Sequence, residues 1–77
     1  MLEKYKNIFM ECFSVEEDDL PDLKYQDVKA WDSVGHMAMV GELEDTFDIE
    51  MDIEDIIEIS SFEKGKEILS RYGINLQ

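Results

Sequence analysis

Two polar residues of this chain, Ser33 and His36, stand three positions apart. On a helix that spacing puts both on one face, and a serine beside an imidazole is the beginning of a nucleophile with its base. A working triad also needs an orienting carboxylate and an oxyanion hole in a closed pocket. A helix surface on so short a chain offers little of that, so no catalytic residue is expected. Cys12 is the one thiol. It falls inside an apolar stripe and reads as a small buried hydrophobe rather than a reactive group. Metal chemistry has little to work with, because His36 is the sole histidine. The acids of Asp48-Ile49-Glu50-Met51-Asp52-Ile53 alternate but lack the glycine that a calcium loop needs at its sixth position. No metal site is expected beyond loose attraction of divalent cations to an acidic surface. What Asp32 and Ser33 do fit is the start of a helix, with Asp32 as an N-cap that accepts backbone N–H groups.

The elements that must position these residues follow from periodicity. Tyr5, Ile8, Phe9, Cys12 and Phe13 recur at i, i+3, i+4, i+7 and i+8, the stripe of an amphipathic helix from about Leu2 to Phe13. From Ser14 to Ala30 the pattern stops. Glu16-Glu17-Asp18-Asp19 is a charge run, and the only proline, Pro21, follows Leu20. This stretch reads as a long ordered loop with at most one short turn, pinned to the core by Leu20, Leu23, Tyr25 and Val28. A second helix is expected from Asp32-Ser33 to about Phe47. Its apolar residues Val34, Met37, Met39, Val40 and Leu43 spread over more than one face, as in a helix packed on two sides or one with an outward apolar edge. Ile53, Ile56 and Ile57 predict a short third helix. Ser60-Ser61-Phe62-Glu63 contains an S-x-x-E capping box, with Ser60 as cap, opening a last helix. Its inner face is Phe62, Gly65, Ile68 or Leu69, and Tyr72, and Gly73 is placed to end it. The fold class is all-α: a four-helix bundle of three main helices and one short one, with a long loop between the first two.

Composition narrows the partners. The chain has 77 residues, which is one domain, 1–77, with a modest core. Twenty acidic residues against seven basic ones give a net charge of −13. That excludes phosphate-backbone binding by a basic patch, so no nucleic acid is expected, and no anionic membrane surface. It favours a protein partner with a basic patch. The charge is segregated: from Ala30 through Phe62 there is no Lys or Arg, while ten acids lie in the same span. No stretch is apolar and long enough to be a signal h-region or a membrane span. Together with the single cysteine, this reads as a cytoplasmic protein, monomeric by expectation.

Trp31-Asp32-Ser33-Val34-Gly35-His36-Met37, followed by Leu43-Glu44, Phe47, Ile49, Met51, Asp55-Ile56 and Ile59-Ser60, resembles the acyl carrier protein family and its peptidyl and aminoacyl relatives. The resemblance is firm from about Trp31 to Phe62 and weakest from Ser14 to Ala30. It implies a four-helix bundle that carries its substrate as a thioester on a covalent 4′-phosphopantetheine arm. Ser33 matches the serine that receives the arm, Asp32 the acid before it and Val34 the apolar residue after it. A phosphodiester suits that place, since a helix N-terminus presents free N–H groups and the positive end of the dipole.

The resemblance implies a set of partners. These are a phosphopantetheinyl transferase using coenzyme A, an acyl- or aminoacyl-loading enzyme, and a downstream synthase or transferase with a basic docking patch. Recognition would run along the second helix. Val34, Glu44 and Asp45 match docking positions there, and Gly35, Met37 and Gly41 complete the expected partner surface. Fatty-acid-synthesis carriers often set an acid where this chain has Gly35, another acid at Ala38, and a bulky Met at Gly41. A specialised pathway is therefore expected rather than housekeeping fatty acid synthesis. Gly35 and Gly41 would leave an open, smooth helix face. The alternative from another class is an acidic helical adaptor that binds a basic protein with no prosthetic group.

Overall fold

The structure, a computed structural model, describes residues 1–76; Gln77 lies outside the described residues. The chain is mostly helical, and no strand forms among the described residues. The α-helices are α1 (Leu2–Phe13), α2 (Ser33–Phe47), α3 (Ile53–Glu58) and α4 (Phe62–Ser70). A 3₁₀ helix, Glu17–Asp22, lies between α1 and α2.

α1 forms where its stripe predicts and buries Tyr5, Ile8, Phe9 and Phe13, with Cys12 half-buried beside them. It ends at Ser14, which takes the left-handed conformation at φ 54° and donates its N–H to the Met10 carbonyl. The core grows from this stripe as a set of packed rings. Phe9 meets Tyr5 at 4.9 Å and meets Phe62 and Trp31 edge-on at 5.2 and 5.5 Å between centroids. Phe13 stacks on Trp31 at 4.7 Å. The buried Tyr5 hydroxyl donates to the Phe62 carbonyl at 2.7 Å, which ties α1 to the start of α4. Gly65 makes room for it, since a Cβ there would run into that hydroxyl.

Two expectations are corrected. The segment from Ser14 to Ala30 is not a plain loop. Glu17–Asp22 winds into a 3₁₀ helix that contains Pro21 and starts where the Glu16 N–H donates to Asp19. Buried Leu20 and Leu23 anchor the segment, Val28 packs against the core, and Tyr25, though partly exposed, sets its ring edge-on to Trp31 and His36. The cap of α4 is Ser61, not Ser60: its Oγ accepts from the Lys64 N–H at 2.9 Å. The Ser60 carbonyl instead accepts from the Tyr25 N–H at 2.9 Å. The Phe62 N–H returns to the Leu23 carbonyl at 2.9 Å, so a single antiparallel bridge at Lys24 and Ser61 clamps the two segments together. α4 buries Phe62, Gly65, Ile68 and Leu69 and stops at Ser70. Tyr72 and Gly73 (φ 80°) lie in the turn beyond it.

α2 resolves its blurred pattern. His36, Met39, Val40 and Leu43 point inward, and Val34 and Met37 form an exposed apolar edge. No helix among the described residues is long and apolar enough to cross a membrane.

Candidate functional site at the head of α2

Ser33 is the first residue of α2 and is exposed. Asp32 caps the helix as its residue type predicts: its Oδ1 accepts from the Gly35 N–H at 2.8 Å. The Ser33 and Val34 amides have no carbonyl one turn back within the helix, so they are open to an anion at this end.

The residues flanking Ser33 are anchored in the core. Trp31 is fully buried between Phe13 and the ring of His36, which lies parallel to it at 6.2 Å. The Trp31 indole N–H donates to His36 Nδ1 at 3.0 Å, and His36 Nε2 lies 2.7 Å from the Ile56 carbonyl oxygen. An indole N–H can only donate and a carbonyl can only accept. The imidazole is therefore the neutral tautomer with its proton on Nε2. Both nitrogens are engaged, so His36 has no lone pair to take the Ser33 proton. The sequence pairs Ser33 with His36, but the structure turns the imidazole inward, between Trp31 and α3.

Between α2 and α3, a cavity of about 310 Å³ opens beside Ser33. Met37, Ile53, Ile56, Ile57 and Ile59 give it an apolar wall, with Tyr25, His36 and Ser60 completing it. Three residues of its wall are large, apolar and exposed, Ile57 at 73%, Ile53 at 64% and Met37 at 51%, and Val34, next to Ser33 in the chain, is 77% exposed. Clustered exposed apolar side chains with a charged border mark contact surfaces. Acids on the same two helices, Asp45 of α2 and Glu54 of α3, are exposed and form no ion pair with a described residue.

The other expected partner residues divide. Asp45 is exposed on α2. Glu44 is half-buried, and its carboxylate accepts from the Met51 N–H at 2.9 Å, so it braces the turn after α2. Gly41 is open, with nothing near the place of a Cβ. Gly35 is the reverse of an open face: a Cβ there would collide with the Ala30 carbonyl oxygen. Its glycine is required by that close approach. Sequence reasoning missed Ile53 and Ile57 as surface residues. A strand-free run with isoleucines at 53, 56 and 57 gave the helix, but one and a half turns carry too little period to say which side faces in.

The other clefts lie elsewhere. One, between α1 and α2, contains Cys12, whose thiol burial pushes up, with Glu42 and Glu11 adding to the effect. No group of three or more His, Cys, Asp or Glu that could hold a metal ion is present among the described residues. Comparison with family models, curated proteins and solved structures finds no match.

Proposed function

We propose that this chain is a non-catalytic carrier protein of the acyl carrier type, a four-helix bundle that holds its cargo on a 4′-phosphopantetheine arm at Ser33. The observation that carries the reading is an exposed serine hydroxyl at the first position of a capped helix, beside an apolar cavity. A transferase can reach that hydroxyl. Its oxygen would take the phosphopantetheine phosphate from coenzyme A, with 3′,5′-ADP leaving and the hydroxyl proton released. The amides of Ser33 and Val34 would face the resulting phosphodiester. Asp32 is held in place by the Gly35 N–H. The arm supplies a thiol that forms thioesters; the protein supplies transport, recognition and an apolar recess.

The partner surface in this reading is the exposed edge of Val34, Met37, Ile53 and Ile57 with Asp45 and Glu54 beside it. It suits loading and downstream enzymes that present an apolar patch ringed by Lys and Arg. A dedicated pathway is favoured over housekeeping fatty acid synthesis, because the Ala30 carbonyl closes the position after Ser33-Val34 to an acidic side chain. We place the protein in the cytoplasm as a monomer.

The test is intact-mass spectrometry after incubation with coenzyme A and a broad-specificity phosphopantetheinyl transferase. One phosphopantetheine is expected on the wild type and none on Ser33→Ala. A folded wild type that gains no mass would overturn the reading and leave an acidic adaptor for a basic protein.

A further inference from the structure

Tyr25 differs from the other tyrosines in what its hydroxyl does for the fold. The Tyr5 hydroxyl donates to the Phe62 carbonyl and the Tyr72 hydroxyl to Asp55. That of Tyr25 has no hydrogen-bond partner among the described residues. Its ring is nonetheless held. It stands edge-on to His36 at 5.7 Å and to Trp31 at 6.2 Å between centroids, and the Tyr25 N–H donates to the Ser60 carbonyl. A phenylalanine would make the same ring contacts, so packing alone does not account for the hydroxyl.

Ser60 shares that condition: its Oγ has no partner among the described residues. Both residues line the cavity of about 310 Å³ whose wall includes Ser33, and their backbone bond holds them side by side there. Besides Ser33, the other polar side chain of that wall is His36, and both of its nitrogens are engaged. The cavity is therefore apolar, with one free phenol and one free alcohol that can each donate and accept. A few polar groups on an apolar wall orient a ligand that carries polar groups of its own. A hydrocarbon chain would cover the two hydroxyls without bonding them, which is unfavourable. A pantetheine chain, in which amides and a hydroxyl alternate with methyl and methylene groups, can bond them and still cover the apolar wall.

We infer that Tyr25 and Ser60 are positioning residues for the arm, their hydroxyls bonding its amide groups so that the cavity beside Ser33 receives the arm rather than a hydrocarbon cargo. This inference rests on the carrier reading and deepens it.

The test uses protein loaded by the transferase from isotope-labelled coenzyme A, checked by intact mass and followed by NMR. Nuclear Overhauser contacts are expected between the arm and the side chains of Tyr25 and Ile57. Tyr25→Phe keeps the ring contacts, so its urea midpoint should match the wild type. It should lower the ratio of docked to free arm, read from arm shifts against free coenzyme A, by about two- to ten-fold, the worth of one net hydrogen bond. Ser60→Ala should act in the same direction. Protein loaded from hexanoyl-coenzyme A should keep the arm contacts. A loaded arm with the shifts of free coenzyme A overturns the inference, as does Tyr25→Phe with an undiminished docked arm. A lowered urea midpoint in Tyr25→Phe, which would mean that the hydroxyl serves the fold, also overturns it, and so do contacts from the hexanoyl chain in place of the arm. A wild type that gains no arm mass overturns the carrier reading itself, and the mass separates that failure from the others.

Discussion

The α1–α4 half of the molecule and its α2–α3 face are held by different forces. In the first, Tyr5, Phe9, Phe13, Trp31 and Phe62 pack ring on ring with almost no exposure. In the second, one isoleucine of α3 is buried, and His36, Tyr72, Arg71 and Lys64 do the holding. Burial is non-directional and shared among neighbours, so the first region should be lost as one unit. Polar ties are separate and individually modest, so the second can open piece by piece. A small anionic domain thus keeps its fold in one half and its adaptability beside Ser33.

The largest test of this contrast is truncation on either side. Phe9→Ala should cost about 3–5 kcal/mol, enough to unfold much of a domain this small, as read by urea denaturation. Ile57→Ser, on the exposed edge, should stay within about 0.5 kcal/mol of wild type. Equal costs would break the distinction. The glycines of α2 sharpen it with opposite signs. Gly35→Ala should destabilise by about 1–3 kcal/mol, because its methyl meets the Ala30 carbonyl. Gly41→Ala should stabilise by about 0.5–1 kcal/mol, because its methyl meets nothing and helix propensity improves.

Each region should also carry its own pH dependence. Burial, and then Glu63, holds the Tyr5 phenol far above its ordinary range. The folded state therefore keeps a proton that the unfolded state gives up. The stability linked to Tyr5 is fully present below the unfolded phenol value of about 10 and declines as pH rises beyond it. Ultraviolet titration should show Tyr5 ionising only as the protein unfolds. Hydrogen bonds from Arg71 and Lys64 hold the Glu58 carboxyl below its usual value. Its contribution is present above the ordinary carboxylate range and is lost as pH falls through the lowered value. Arg71→Gln should flatten that acid limb and leave the alkaline one unchanged. The smallest effect concerns Cys12: with its thiol pushed up by burial, alkylation near pH 8 should be slower in the folded protein than in urea.

Much of the first region was legible in the sequence, because α1 is a long stripe of large apolar residues with a clean period. The head of α2 was legible for another reason: Asp32 and Ser33 are residue types that a helix start demands, and Ser33 stands exposed where that logic puts it. What the residues did not announce depends on backbone groups met in three dimensions. Gly35 is forced by a carbonyl from Ala30, and His36 is turned inward by a carbonyl at Ile56. Backbone carbonyls are alike at every position, so no spacing marks them. The cap of α4 slipped from Ser60 to Ser61 for the same reason, since the Ser60 carbonyl was claimed by Tyr25. The acids and Pro21 of the 3₁₀ helix read as loop because both are common in either setting.

The bridge between Lys24 and Ser61 has a consequence for how such a chain can change. It brings together the two ends of the excursion that contains α2 and α3, so that both helices leave and re-enter the scaffold at one doorway. A segment whose ends already meet can be exchanged as a cassette. Transplanting residues 25–60 into another framework with a matching doorway would move α2, α3 and their exposed apolar edge together, provided the new base offers Trp31 the aromatic partners that Phe9 and Phe13 give it here.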